Sequence, residues 1–136
     1  MFVEPPSSLP FFLVNRAIGK AMTVSPITNV NHISFEPLNY SDSQKFVYVP
    51  EKKGLIKAFS AEKVLKTENG SNKDGVELVF QESTGDQTEQ WHLNGEEIYS
   101  NINGKVVTLE LSDEKVKTTM KEQNNSDFQA FDIIFA

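Results

Sequence analysis

The side chains of this sequence that could catalyse a reaction are few and scattered. Cys is absent and the only two His residues are His32 and His92, so thiol nucleophiles and thiolate metal sites are excluded. A Ser-His-Asp arrangement would need a third group whose position the sequence does not indicate. The adjacent Glu96 and Glu97 stand in a polar turn, where solvated charge is the ordinary state. We therefore expect a binding protein and not an enzyme, with no metal site and no cofactor.

One polar residue type recurs at a fixed distance before an aromatic residue. The stretch TGDQTEQWHL, residues 84–93, holds the single Trp, and a Glu stands two residues before it. The same spacing occurs three times, in the pairs Gln44 with Phe46, Glu89 with Trp91, and Gln129 with Phe131. An Asp stands shortly before each pair, at Asp42, Asp86 and Asp127. A Gln in this place can bond otherwise unpaired backbone groups of the preceding turn.

A second motif lies upstream of each pair. It reads GKAMTV at 19–24, EKVLKT at 62–67 and GKVVTL at 104–109. The distances from its Lys to the later aromatic residue are 26, 28 and 26 residues. Between the two motifs lies a third run, HISFEPL at 32–38, VELVFQ at 76–81 and KVKTTMK at 115–121. Motifs that keep their order and spacing three times indicate three repeats, at about 10–50, 51–94 and 95–136.

The local pattern is that of short strands separated by turn residues. Runs such as FFLVNRA, KAMTV and KFVYV are rich in β-branched and aromatic residues, with Gly, Asn, Asp and Ser between them. The stretch LIKAFSAEKVL at 55–65 is interpreted as two strands joined by a turn at 60–62. Four strands in each of three repeats make a sheet that must close to hide its edges. The sequence therefore predicts an all-β protein, a β-trefoil with pseudo-threefold symmetry, in which Trp91 is a core residue.

The bulk composition fits a single domain with no affinity for polyanions. The chain has 136 residues, which suits one core, and we assign 1–9 to an N-terminal extension and 10–136 to the domain. A net charge of −6 argues against nucleic acid as a partner. No apolar run is long enough for membrane insertion. The lack of Cys and of a basic, uninterrupted leader predicts a cytoplasmic protein.

The three repeats resemble those of the ricin B-type lectins, β-trefoil proteins whose signature is a Gln-x-Trp in each repeat. The resemblance covers roughly residues 10 to 135, and FFLVNRAIGKAMTV is similar to the opening strand pair of such domains. The lack of Cys is similar to the small cytoplasmic trefoil lectins of mushrooms and other fungi. Here one aromatic of the three is Trp, and the middle Gln is Glu89. The resemblance implies a carbohydrate-binding lectin with a defensive role, whose partners are glycans or glycoconjugates.

The resemblance also implies a galactose-binding set in each active repeat. The set consists of an Asp in the second strand, an aromatic residue after the third strand and an Asn directly before the Gln. The matching positions hold Thr23, Glu36 and Ser43 in the first repeat, Lys66, Gln81 and Thr88 in the second, and Thr108, Lys121 and Phe128 in the third. The set's Asp is missing from all three, so we do not expect galactose binding in the family's usual mode.

The first repeat offers the best alternative set of sugar-binding side chains. Beside Thr23, its turn EPLNYSDS supplies Glu36, Asn39, Tyr40, Asp42 and Ser43. Tyr40 could stack on a sugar ring, while Asn39 and Asp42 could bond hydroxyl groups. The alternative for Asp42 is structural, because an Asp recurs in all three repeats and could cap its turn. Tyr40 occurs in one repeat, so repetition does not make it structural.

Two other functions stay open at the level of sequence. A β-trefoil also resembles the scaffold of Kunitz-type and fungal protease inhibitors, and Lys73 in the loop TENGSNKDG, residues 67–75, could enter a trypsin-like pocket. The alternative for this loop is a solvated insertion, since its repeat is two residues longer than the others. The other open function is a trefoil module that contacts a protein without binding sugar. The oligomeric state is also open; a homodimer would raise weak sugar affinity through avidity.

Overall fold

The computed structural model describes residues 9–24, 32–71, 73–94, 96–112 and 115–136, and it is all-β. The first unit holds β1 (Phe11–Asn15), β2 (Lys20–Val24), β3 (Ile33–Glu36) and β4 (Phe46–Val49). The second holds β5 (Leu55–Ala58), β6 (Val64–Thr67), β7 (Leu78–Gln81) and β8 (Trp91–Asn94). The third holds β9 (Glu97–Ser100), β10 (Val106–Ser112), β11 (Lys115–Lys121) and β12 (Phe131–Phe135). Stretch 55–65 thus forms two strands, as predicted, and the described segments contain no helix that could cross a membrane.

Six of these strands form a closed ring. β1 pairs antiparallel with β12 along its whole length and also with β4, β4 pairs with β5, and β8 pairs with β9. Backbone hydrogen bonds also join β5 to β8 and β9 to β12, which closes the ring. The N–H of Trp91 donates to the carbonyl of Gly54 at 3.1 Å, and the N–H of Phe131 donates to the carbonyl of Glu96 at 2.9 Å. A closed ring leaves no long sheet edge exposed to other chains.

The other six strands form three hairpins, one in each unit. β2 pairs with β3, β6 with β7, and β10 with β11. The hairpins contact one another, and an isolated bridge joins Glu77 of the second unit to Thr119 of the third. They therefore cover one end of the ring. Each hairpin is followed by the turn that carries the recurrent Gln or Glu.

The recurrent aromatic residues are the centre of the core. Phe46, Trp91 and Phe131 are all at most 1% exposed. The ring of Phe46 stacks on that of Phe80 with centroids 5.4 Å apart. Trp91 donates its indole N–H to the carbonyl of Leu65 at 2.9 Å, so its one polar atom is satisfied inside the core. Trp91 is a core residue, as predicted, and offers no surface to a ligand.

Candidate functional site

A 3₁₀ turn directly precedes the last strand of each unit, at Asp42–Gln44, Gln87–Glu89 and Asp127–Gln129. The buried Gln44 ties its turn to the chain before it. Its Oε1 accepts the N–H of Asn39 at 2.8 Å, and its Nε2 donates to the carbonyl of Pro37 at 3.0 Å and to Oγ1 of Thr23 at 3.1 Å. Gln129 makes the same contacts in the third unit, with Asn124 at 2.8 Å, Glu122 at 2.8 Å and Thr108 at 3.2 Å.

The second unit replaces this neutral Gln–Thr contact with a buried ion pair. Glu89 and Lys66 stand at the corresponding positions, and their side chains are 0% and 8% exposed. Oε1 of Glu89 lies 3.5 Å from Nζ of Lys66 and accepts the N–H of Thr84 at 2.9 Å, while Oε2 accepts the hydroxyl of Ser83. Burial alone would raise the pKa of Glu89, but the hydrogen bonds from Ser83 and Thr84 and the charge of Lys66 outweigh it and lower the pKa. The side chains that could have bound a ligand here bond each other instead.

Four residues before the Gln or Glu, each unit has a backbone in the left-handed region. The residues are Tyr40 (φ 61°), Gly85 (φ 76°) and Asn125 (φ 61°). Gly and Asn adopt this conformation readily, whereas for Tyr it costs about 1 kcal/mol. Tyr40 therefore sits under backbone strain at a position where the other two units use residues suited to it.

Tyr40 is also the most exposed aromatic side chain of the first-unit turn. Its ring meets that of Phe12 edge to face, with centroids 5.4 Å apart, and it is 64% exposed. Phe12 beneath it is 1% exposed. Part of the Tyr40 ring thus covers Phe12, while the exposed remainder is available for contact with a ligand.

Most of the other predicted residues of the first unit already form hydrogen bonds within that unit. Thr23 donates its hydroxyl to the carbonyl of Ala21 at 3.0 Å while it accepts from Gln44. Oδ1 of Asn39 accepts the N–H of Ser41 at 2.9 Å, and Asn124 makes the same bond to Ser126 in the third unit. The hydroxyl of Ser43 lies 2.9 Å from that of Ser41, and Glu36 is exposed at the end of β3. The turn brings Asn39, Tyr40, Asp42 and Ser43 together, and Thr23 is linked to it through the hydrogen bond from Gln44.

The recurrent Asp residues do not share one structural role. Asp86 caps its turn, because its carboxylate accepts the N–H of Thr88 at 2.8 Å, and this bond lowers the pKa of Asp86. Capping is the wrong interpretation for Asp42. Its turn is capped by Ser41 with no side-chain bond, and Asp42 lies one residue further on, where its carboxylate pairs with Lys45 at 3.1 Å. Asp127 has the same offset, after Ser126. A shift of one residue moves the carboxylate away from the free N–H groups of the turn.

An open cavity of about 650 Å³ lies in the third unit, between the β10–β11 hairpin and the turn before β12. Thr108 and the half-buried Phe128 lie in its wall, with Asn124 and Ser126 from the turn. Leu109 and five charged residues complete the lining: Asp74, Lys105, Glu110, Lys121 and Glu122. The cavity therefore combines an aromatic ring, hydrogen-bond acceptors and hydrogen-bond donors, which together can bind a molecule rich in hydroxyl groups.

The charged groups of this cavity form a chain of ion pairs. Nζ of Lys105 lies 3.5 Å from Oδ1 of Asp74, and Nζ of Lys121 lies 3.7 Å from Oδ2 of the same carboxylate. Lys121 also lies 3.4 Å from Oε1 of Glu110. Asp74 comes from the second unit, so the wall of the third-unit cavity is built by two units.

The chain is similar in structure to known proteins, although not in sequence. No protein-family model and no curated protein sequence matches this chain. The designed threefold-symmetric protein ThreeFoil matches with a TM-score of 0.80 and 20% identity, over 92% of this chain and 97% of that one. The chain has a β-trefoil fold. A Macrolepiota procera ricin B-like lectin, solved with lactose, matches at TM-score 0.78 and 18% identity over 97% and 99%. The earthworm R-type lectin C-half, solved with GalNAc, matches at 0.77 and 12% over 94% and 99%.

The trefoil gives neither His residue a catalytic partner within the described residues. The exposed His92 stacks on Tyr99 with centroids 5.0 Å apart, and its Nδ1 lies 2.8 Å from Oδ1 of Asn101. His32 is exposed before β3. Glu96, expected as a solvated turn residue, has a side chain that is 40% exposed and accepts a hydrogen bond from Arg16 at the surface. No group of three or more His, Asp or Glu side chains that could hold a metal ion occurs in the described part of the chain.

The polar loop of the second unit contributes Asp74 to the third-unit cavity, whereas the sequence had drawn attention to Lys73 as a residue for a protease pocket. Lys73 is exposed, but its backbone is folded into a turn that the N–H of Val76 closes on its carbonyl at 3.2 Å. The next residue, Asp74, enters the third-unit cavity. Sequence reasoning missed Asp74, Lys105, Glu110 and Glu122, and noted Phe128 and Lys121 as departures from the family's set. The one signal that pointed here was Phe128 directly before Gln129, an aromatic residue where the other units have Ser43 and Thr88.

Proposed function

We propose that this trefoil is a carbohydrate-binding protein that holds a glycan in its third-unit cavity and does not convert it chemically. The observation that carries the proposal is the open cavity of about 650 Å³, in which one aromatic ring and groups of both hydrogen-bonding types converge. A sugar offers an apolar face of C–H groups and a rim of hydroxyl groups. Phe128 matches the first, and the carboxylates and ammonium groups match the second.

The three units are not equivalent in this proposal. In the second unit the ammonium of Lys66 bonds Thr84 at 3.1 Å and pairs with Glu89, so its polar groups are already used. In the first unit Tyr40 is the candidate for a second contact with the glycan. Its strained backbone, held where Gly and Asn stand in the other units, supports a functional reason for a Tyr at that position.

The likeness of the fold to lectins solved with lactose or GalNAc supports the same proposal. This likeness supports a sugar-binding scaffold but does not indicate which sugar is bound, because the side chains of the family's galactose set are different here. The defensive role implied by the resemblance belongs to the proposal and rests on that resemblance alone.

The experiment is a glycan screen followed by mapping of the bound region. The labelled protein is applied to an array of neutral and acidic glycans, and a hit is titrated into ¹⁵N-labelled protein. We expect the amide signals of residues 105–110 and 121–128 to shift, and mass spectrometry to recover the glycan unchanged. No hit on the array would overturn the proposal, and a cleaved or modified glycan would overturn its non-enzymatic part.

Three variants test which side chains contact the glycan. Phe128→Leu keeps an apolar side chain against the core but removes the aromatic face, and Glu122→Gln removes an exposed carboxylate of the cavity. Each is expected to weaken binding by about tenfold. Tyr40→Ala tests the first unit: a loss there with no loss in Phe128→Leu would move the site to the first-unit turn.

A further inference from the structure

The loop between β6 and β7, in the unit that is two residues longer than the others, contacts β11 of the third unit. The N–H of Gly75 donates to the carbonyl of Met120 at 2.6 Å, and the N–H of Met120 donates to the carbonyl of Val76 at 3.0 Å. These bonds fasten residues 75–76 to β11 through the backbone. The loop is therefore an extension of the third-unit hairpin and not a free solvated insertion.

This attachment places the Asp74 carboxylate between two ammonium groups. Its two oxygens lie 3.5 Å from Nζ of Lys105 and 3.7 Å from Nζ of Lys121. The side chain of Lys105 is 20% exposed and that of Lys121 is 35% exposed, so both are partly shielded from solvent. Asp74 thus occupies the place that the carboxylate or sulfate of an acidic sugar would need.

The balance of charge in the cavity depends on the same residue. The lining holds three carboxylates, on Asp74, Glu110 and Glu122, and two ammonium groups, on Lys105 and Lys121. Its formal charge is therefore −1 with Asp74 and zero without it. Asp74 and Glu110 already pair with the two ammonium groups, so a ligand carboxylate or sulfate would meet net negative charge, which is a common way of excluding the wrong ligand.

We propose that Asp74, delivered by the second unit's loop, makes the third-unit cavity select uncharged sugars and reject acidic ones. The inference rests on the proposed function, since it concerns the glycan of the same site. Asp74 adds little to the stability of the fold, because its ion pairs are half exposed and the loop is fastened by backbone bonds. Its substitution can therefore change specificity without unfolding the chain.

The experiment compares four proteins on one array that carries neutral glycans and their carboxylated or sulfated counterparts. They are the wild type, Asp74→Asn, the double variant Asp74→Asn with Lys105→Met, and Glu62→Gln. Glu62→Gln is the matched control: it changes the net charge by the same amount, but its side chain is 90% exposed and pairs with Lys57 outside the cavity. Circular dichroism and a thermal midpoint establish that all four are folded.

We expect Asp74→Asn to raise the ratio of acidic to neutral glycan binding about tenfold over the wild type, and this ratio is the readout because Asp74 also lines the site of the neutral glycan. The double variant should lose that gain, and Glu62→Gln should behave as the wild type. Neutral binding by the wild type with no rise of this ratio in Asp74→Asn overturns the inference and leaves the proposed function standing. Equal binding of acidic and neutral glycans by the wild type does the same. Failure of all four proteins to bind any glycan overturns both.

Discussion

Among the described glycines, Gly54 has the least room for a side chain. Its φ is +92°, and a Cβ there would lie 1.8 Å from the carbonyl oxygen of Trp91 and 2.8 Å from the hydroxyl of Tyr48. Tyr48 donates that hydroxyl to the same Trp91 oxygen at 3.0 Å, and the carbonyl of Gly54 accepts the N–H of Trp91. The joint between β5 and β8 thus depends on a residue without a side chain.

Gly54→Ala is expected to destabilise the fold by roughly 3 kcal/mol or more, because the added methyl group meets backbone that cannot move without opening the ring. The control is Gly19→Ala, where φ is +65° and a Cβ would meet nothing within 4 Å. That change should cost about 1 kcal/mol of backbone strain alone. Urea unfolding of both variants measures the difference, and equal losses would show that the close approach at Gly54 relaxes.

Asp86 should matter for stability more than Asp127 does. Asp86→Ala removes the bond to the N–H of Thr88, whereas Asp127 stands one residue inside its turn, past the capping position. We expect Asp86→Ala to lower the thermal midpoint and Asp127→Ala to leave it nearly unchanged. The two substitutions remove the same charge, so a general electrostatic effect would lower both midpoints alike and contradict the prediction.

At the scale of the element, each unit is a hairpin joined to a turn by one buried side chain. Two units make the joint with a neutral Gln–Thr contact, and the second makes it with Glu89 and Lys66. The two arrangements are alternatives at the same place, because a neutral amide can donate to the Thr hydroxyl, whereas a buried carboxylate is costly unless a cation such as Lys66 compensates its charge. Replacing Lys66 or Glu89 alone therefore leaves a buried charge without its counter-ion, whereas replacing both with the neutral Thr and Gln does not.

Lys66→Thr is expected to cost about 2 to 3 kcal/mol, because it leaves the carboxylate of Glu89 buried without its cation. The double variant Lys66→Thr with Glu89→Gln should recover most of that loss by restoring the neutral contact. A double-mutant cycle by urea unfolding should give a coupling free energy of about 1 kcal/mol or more. Additive losses would mean that Lys66 and Glu89 do not act as a pair.

At the scale of the whole molecule, a threefold scaffold carries three different surfaces. The ring and the core repeat, whereas the strained Tyr40, the buried Glu89–Lys66 pair and the two-unit cavity each occur once among the described residues. The shared scaffold supplies stability, so differences between the turns can specialise with little cost to the fold. The pH dependence of the free energy of unfolding is a property of the whole molecule, because every carboxylate of this acidic chain contributes to it.

Acid should destabilise the protein through Glu89 in particular. Its pKa in the folded state is below the ordinary 4.5, so the unfolded chain binds the proton more readily. The stabilisation from Glu89 is therefore complete above that ordinary value and is lost as the pH falls through the folded pKa. Urea unfolding between about pH 3 and pH 7 should show a steeper acid loss in the wild type than in the double variant with Glu89→Gln and Lys66→Thr. Equal slopes would contradict the assignment to Glu89.

The repeats, the strands and the core were determined by the sequence itself. Phe46, Trp91 and Phe131 could be placed in the core because a spacing kept three times records one local structure made three times. The bonds of Gln44 and Gln129 to the preceding loop were predictable for the same reason, since they join residues that are at most seven positions apart.

Tertiary structure alone decided which side chains meet across units. Nothing near Asp74 in the chain indicates Lys105 or Lys121, because their contact depends on how the 67–77 loop lies against β11. The different roles of Asp42 and Asp86 depended on a shift of one residue, which a pattern of residue types does not resolve. Local propensity and period report contacts between near neighbours in the chain. The third-unit cavity is made by contacts between residues that are distant in the chain, so only the tertiary structure decides it.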